Sequence, residues 1–244
     1  MRRSLFSVFI LVVACSRIEA ACLDPSMFVH STMSIARYFN EEESKAQQPG
    51  VVGIRGTGWF LSPRLIVTAA HVAEAMQLSA NEWKEIELRD GESKRSVPVR
   101  VLHLAGPHTE KIAVLESRTA MPDAVVLQRR AEPLIPEEGV VSLAYPNSQL
   151  RVAGGRFVQY GDDGKLAGSA LLEMYDGNDR LVLDHGASGA AVLDCDGRVV
   201  AVVTTLITRT MSFMSNVIRI STAWNSPNVV AIPIQVLKDF SGSE

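Results

Sequence analysis

From Ser31 onward the chain alternates short apolar stretches with turn residues. STMSIARYF (31–39), GWFLS (58–62), RLIVTAA (64–70), EIELR (85–89), VPVRVLHL (97–104) and DAVVLQ (123–128) are short and β-prone. Gly, Pro, Asn or Asp punctuates them, as at Ser62-Pro63 and Asp90-Gly91. A second series follows as VVSLAY, RVAGGRFVQY, LLEMY, RLVLD, AAVLD, RVVAVVTTLI and VVAIPI, and IQVLKDF reads as a short closing helix. Strands at such regular spacing predict a barrel or sandwich, hence an all-β fold. Between the series lies RRAEPLIPEEG (129–139), charged and carrying Pro133 and Pro136, which reads as a linker. Two β-rich halves are expected, with any site in the cleft between them.

Composition narrows the class. With 244 residues and 47% hydrophobic content, the chain can bury one large core or two modest ones. The formal charge is −3 and no run of five or six like charges occurs, so nothing suggests a nucleic-acid footprint and no nucleic-acid partner is expected. The N-terminus is patterned differently: Arg2 and Arg3, an apolar run from Leu5 to Ala14, then small residues at Ala20 and Ala21. That is the layout of a signal peptide over residues 1–20, too short to span a bilayer, and it predicts an exported protein, periplasmic or secreted. Cleavage leaves Cys22 and Cys195, which are expected to pair in an oxidising compartment, two unpaired thiols being the other reading. VVAC, ending at Cys15, also fits a lipoprotein cleavage box, so a lipid anchor there is the minority alternative.

Candidate chemistry centres on HGASGAAVLDCDG (185–197). Ser188 is either a nucleophile or part of a turn, and Gly and Ser alone do not decide between them. A serine hydroxyl needs a base within hydrogen-bonding reach and a third group that orients the base. All five histidines, at 30, 71, 103, 108 and 185, precede Ser188, which excludes the α/β-hydrolase order. Upstream of His71 the sole aspartate is Asp24, so the subtilisin-type order Asp-His-Ser has no fitting acid and His-Asp-Ser remains. His71 ends the apolar stretch RLIVTAAH, and the small residues Thr68, Ala69 and Ala70 allow close approach around an imidazole. For the acid, Asp123 opens the apolar DAVVLQ, where a carboxylate at a strand edge would need a partner; Glu110 and Asp90 stand in reserve.

These residues resemble the trypsin-like serine peptidases, and more closely the bacterial HtrA/DegP-type protease domain. TAAH (68–71) is similar to the family's histidine motif, DAVVL (123–127) to its D-x-A-x-L motif, and HGASGAAVLDCDG to G-N-S-G-G-P-x-x-x-x-x-G. VVAIPIQVLKDF resembles the F-A-I-P segment that closes HtrA-type domains. The resemblance covers about residues 26–240. It implies two six-stranded antiparallel barrels, over 26–128 and 140–240, His71 and Asp123 coming from the first and Ser188 from the second. It further implies an oxyanion hole from the N–H groups of Gly186 and Ser188, and a serine endopeptidase working through an acyl-enzyme on protein or peptide substrates, without cofactor.

The sequence also departs from the family. Ala187 stands where digestive enzymes carry Asp, so activation by a freed N-terminus is not expected, and no PDZ domain fits after Phe240. Ala190 and Ala191 replace Gly and Pro, and a positive φ at Ala190 would strain the loop. Carry-over lines the primary pocket with Val182, Leu183 and the strand Val202, Val203, Thr204, uncharged and suited to an apolar or small side chain; His185 borders the site. His103 and His108 lack the clustered carboxylates or cysteines of a metal centre, so no metal is expected. The rival reading is a trypsin-like domain that binds peptides without cutting them, and an esterase of the same fold is a third.

Overall fold

The computed structural model describes residues 23–91, 93–106, 111–162, 164–176, 183, 185–206, 208–213, 216–221 and 227–240, with the backbone alone over 205–206, 208–213 and 216–221. The first barrel comprises β1 (Thr32–Tyr38), β2 (Gly53–Ser62), β3 (Leu65–Ala69), β4 (Lys84–Asp90), β5 (Ser93–Ala105) and β6 (Ile112–Ser117). These close in the order β1-β2-β3-β6-β5-β4, all antiparallel. Two short helices punctuate it, α1 (Glu41–Lys45) and α2 (Ala70–Ala75). The second barrel uses β7 (Gly139–Ala144), β8 (Arg151–Tyr160), β9 (Ala170–Tyr175), β10 (Ala191–Leu193) and β11 (Val199–Leu206). After a hairpin of β12 (Thr208–Phe213) and β13 (Asn216–Ser221), β14 (Val229–Pro233) completes it in the order β10-β11-β14-β9-β8-β7. The expected closing helix is a single 3-10 turn, Ile234–Leu237. Among the described residues no helix is long and apolar enough to cross a membrane.

Burial follows the two-residue period of strands. Along β3, Ile66 enters the core of the first barrel, while Leu65 and Val67 face the other way into a cluster between the barrels; Ala69, at the strand end, turns back to the first core. That inter-barrel cluster joins Trp59, Leu65, Val67 and Val114 of the first barrel to Val141, Leu143, Val202 and Ile232 of the second. Both faces of these strands are buried, which is why LIVTAA and VVAVVT read as continuous runs rather than alternating ones. Full burial of each large side chain contributes about 1.5–3 kcal/mol.

One strand differs from expectation. DAVVLQ is not a barrel strand: it makes only single bridges, Val126 to Phe60 and then Arg129 to Val199, as the chain passes from one barrel to the other. The strand that completes the first barrel is β6, IAVLES, whose residues pair with β3 from Leu65↔Glu116 to Ala69↔Ile112.

Candidate active site

Ser188 stands on a loop that the second barrel presents to the first. Gly189 adopts φ +95°, a region open to glycine, and a Cβ there would lie 2.1 Å from Thr57 O and 2.3 Å from Thr68 Oγ1. Glycine at 189 is therefore a steric requirement. Ala190 is absent from the positive-φ residues, so the strain expected there does not arise; the left-handed turn is taken by glycine one residue earlier. The loop returns to its own barrel through Gly189 N–H to Val203 O (2.8 Å) and Val203 N–H to Ala190 O (2.9 Å).

Thr57, on β2 and fully buried, clamps this loop to the first barrel. Its N–H donates to Ser188 O (2.9 Å) and its Oγ1 donates to Gly186 O (2.6 Å). The same Oγ1 accepts from Tyr145 N–H (3.0 Å), and Thr57 O accepts from Thr68 Oγ1 (2.8 Å). Gly186 is left-handed, φ +99°, against the turn at Tyr145–Asn147, where a Cβ would meet Tyr145 O at 3.0 Å. With both carbonyls tied to Thr57, the N–H groups of Gly186 and Ser188 donate to no group among the described residues. Ser188 Oγ donates to Thr204 O (3.0 Å). Burial pushes the Tyr145 hydroxyl above its ordinary value, and that neutral hydroxyl accepts Gly91 N–H.

His71 emerges as the second residue of α2, exposed, directly after the strand end that carries Thr68. Its neighbour Val72 and Ser188 O both flank Gly56, whose Cβ would lie 2.6 Å from Val72 Cγ1 and 3.3 Å from Ser188 O. His71 and the Ser188 loop thus share one end of the β2–β3 pair.

Asp123 does not join them. Met121 N–H bonds Pro63 O, before the first residue of β3, whereas His71 follows its last residue. The five residues of β3 lie between, a span of about 16 Å at 3.3 Å per residue. The Asp123 side chain is 63% exposed and is held by a two-pronged pair with Arg95 (3.2 and 2.7 Å). That hydrogen bond, foremost, lowers its pKa. The expected strand-edge carboxylate awaiting an imidazole is instead a solvated ion pair.

The missed signal is in β6. Lys111-Ile112-Ala113-Val114-Leu115 matches x-A-x-L better than DAVVL does, with lysine in the acid's place, and Lys111 O accepts Ala70 N–H (2.9 Å) beside His71. Glu110 lies outside the described residues, as does His108. His103 stacks on Phe240, ring centroids 5.1 Å apart. Asp90, the other reserve acid, contacts His30 Nδ1 at 3.0 Å.

The expected pocket residues scatter. Leu183 and Val203 belong to the core of the second barrel and Val202 to the inter-barrel cluster, because successive side chains of β11 point to opposite faces. Thr204 is buried, donating to Val230 O while its own carbonyl takes Ser188 Oγ. His185 does line a cavity, with Gly186. Val182 lies outside the described residues.

Paired six-stranded barrels with a serine loop clamped at their junction define a two-barrel serine hydrolase. Residues 56–202, more than half of the chain, match the family model of the trypsin-like peptidase domain, and the chain belongs to that family. It is thus a serine protease by class. Among solved structures it is similar to the Rv3671c protease of M. tuberculosis in its active form, at 17% identity over 98% of this chain and 92% of that one, TM-score 0.58. The inactive form of that protease aligns at 16% identity over 88% and 89%, TM-score 0.56. At such identity the likeness is one of fold. No curated protein sequence matches.

Proposed function

We propose that the chain is an exported serine endopeptidase in which Ser188 attacks the scissile carbonyl and His71 takes and returns the proton through an acyl-enzyme. The observation that carries this reading is the clamp at Thr57. It fixes the carbonyls of Gly186 and Ser188 toward the first barrel and leaves their N–H groups to stabilise an oxyanion. Preorganised donors of this kind contribute about 3 kcal/mol each to the transition state. For the orienting acid, Glu110 takes the place expected of Asp123, since it adjoins Lys111 in sequence and the Lys111 carbonyl already meets the strand end at His71.

Export rests on residues 1–20, which lie outside the described residues, as do Cys15 and Cys22. The proposed Cys22–Cys195 bridge is supported by the packing of the new N-terminus: Phe28 covers Gly197, where a Cβ would lie 2.3 Å from the ring, and Leu23 and Phe28 pack on the inter-barrel cluster. Mass spectrometry of the mature protein, with and without reduction, tests cleavage and bridge together.

A fluorophosphonate probe tests the chemistry. Labelling of the wild type, lost in Ser188→Ala and His71→Ala, is the expected result; a folded wild type that does not label would make the protein a peptide-binding module. Turnover of matched peptide and ester substrates separates peptidase from esterase.

A further inference from the structure

A cavity of about 350 Å³ opens directly beside Gly186. Its walls are Tyr38, Val52, Ile54 and Arg55 from the first barrel and its approach, with His185 and Gly186 from the serine loop. Asn147 closes it from the turn that backs Gly186, in a left-handed conformation (φ 51°) shared by Ser148 (φ 61°). Two consecutive non-glycine residues in that region are strained, so the turn is held by its surroundings.

The arginine on these walls is one of five described side chains of its kind that pair with no carboxylate; Arg64 and Arg129 bond backbone carbonyls, Arg151 bonds Gln149 and Arg118 lies over the Trp83 ring. Arg37, Arg89, Arg95, Arg100, Arg130, Arg156 and Arg198 each reach a carboxylate. Arg55 reaches none among the described residues. It donates instead to Tyr38 Oη (3.1 Å), and its guanidinium lies 5.8 Å from the centre of that ring, a contact that orients a cation without neutralising it. A smaller adjoining cavity shares Tyr38 and Arg55 and contains Glu87 and Arg89. Glu87 is already occupied by Lys94 (2.6 Å) and Arg89 (3.5 Å). Counted over the described residues, this corner is therefore cationic in a chain of net charge −3.

Position gives the cation a role. Ser188 Oγ faces Thr204 O on β11, while the cavity lies on the Gly186 side, beside the proposed oxyanion donors. A peptide whose scissile carbonyl meets the N–H groups of Gly186 and Ser188 passes beside this cavity and Arg55. Resting on the peptidase reading above, we propose that this cavity is the leaving-side subsite and that Arg55 selects substrates with Asp or Glu at the first or second position after the scissile bond. A planar guanidinium with free donors suits a carboxylate, while Val52 and Ile54 accept its methylene stem.

Digestion of a proteome-derived peptide library tests this, because mass spectrometry reads both sides of every cut. Wild type should enrich Asp and Glu after the cut by about fivefold over neutral residues, the scale of a solvent-accessible ion pair. Arg55→Ala should flatten that ratio, Arg55→Lys should retain part of it, and Arg55→Glu should turn it toward Lys and Arg. The ratio is taken within each preparation, so a general loss of rate does not mimic the effect. Cleavage without acidic enrichment, or enrichment unchanged in Arg55→Ala, overturns the subsite and leaves the peptidase standing. Absence of both cleavage and fluorophosphonate labelling overturns the two together.

Discussion

Two side chains, Thr57 and Asp123, separate what the active site requires from what only matches a sequence motif. Thr57 Oγ1 is buried and both donates and accepts, so Thr57→Val leaves Gly186 O and Tyr145 N–H unpaired at about 1–3 kcal/mol each. We expect Thr57→Val to lower kcat at least tenfold with a smaller change in KM, and Thr57→Ser, which keeps the hydroxyl, to restore most of it. Equal loss in kcat and stability, unrescued by serine, would make Thr57 a packing residue only. Asp123 is the converse. Its exposed pair with Arg95 lies at the far end of β3 from His71, so Asp123→Asn should label with the probe within twofold of wild type, whereas Glu110→Gln should fall by two orders of magnitude or more. Reversal of that order, read from labelling rates, would return the acid to Asp123.

At the scale of elements, most strands were legible because each is apolar and ends at a turn residue; RVAGGRFVQY is β8 residue for residue. The swap of DAVVLQ for IAVLES has a physical cause. Both are short apolar runs, and periodicity cannot rank them when the true strand is buried on both faces. What decides is pairing: IAVLES meets β3 along its whole length, whereas the chain after Pro122 has to leave for the second barrel. Asp123 reads as the orienting acid only because it heads the apolar run that resembles a barrel strand, whereas that strand is β6, which Lys111 and Glu110 precede. The crossover itself is fastened by Arg130, whose side chain reaches Glu138, Pro133 O (3.0 Å) and Asp194 (3.5 Å). Burial alone would raise the Glu138 pKa, but the Arg130 hydrogen bond, the Ile135 N–H and the Arg130 charge outweigh it and hold it below the usual 4.5. A depressed folded-state value means stability present above that range and lost as pH falls through the folded value. Arg130→Met, which strands a partly buried carboxylate, should cost about 2–4 kcal/mol in urea unfolding at pH 7, and the deficit should shrink in acid as Glu138 protonates. A deficit independent of pH would assign the effect to packing alone.

Across the whole molecule, the site belongs to neither barrel. The nucleophile loop is built by the second and clamped by Thr57 of the first, while one apolar cluster, with Trp59 at 0% exposure, is shared between them. If the shared cluster couples the two cores, the barrels unfold as one unit, and reactivity of Ser188 vanishes with the secondary structure rather than before it. Probe labelling and far-ultraviolet circular dichroism followed through the same urea titration should therefore give coincident midpoints. Trp59→Ala, which removes the largest side chain of the cluster, should shift both midpoints down together by about 3–5 kcal/mol of stability. Trp59→Phe should cost much less, because the Trp59 Nε1–H has no hydrogen-bond partner among the described residues and its removal relieves an unpaired buried donor. Labelling lost at lower urea than the circular dichroism signal would mean that the barrels part before they melt, and that the clamp at Thr57 is weaker than the cores it joins.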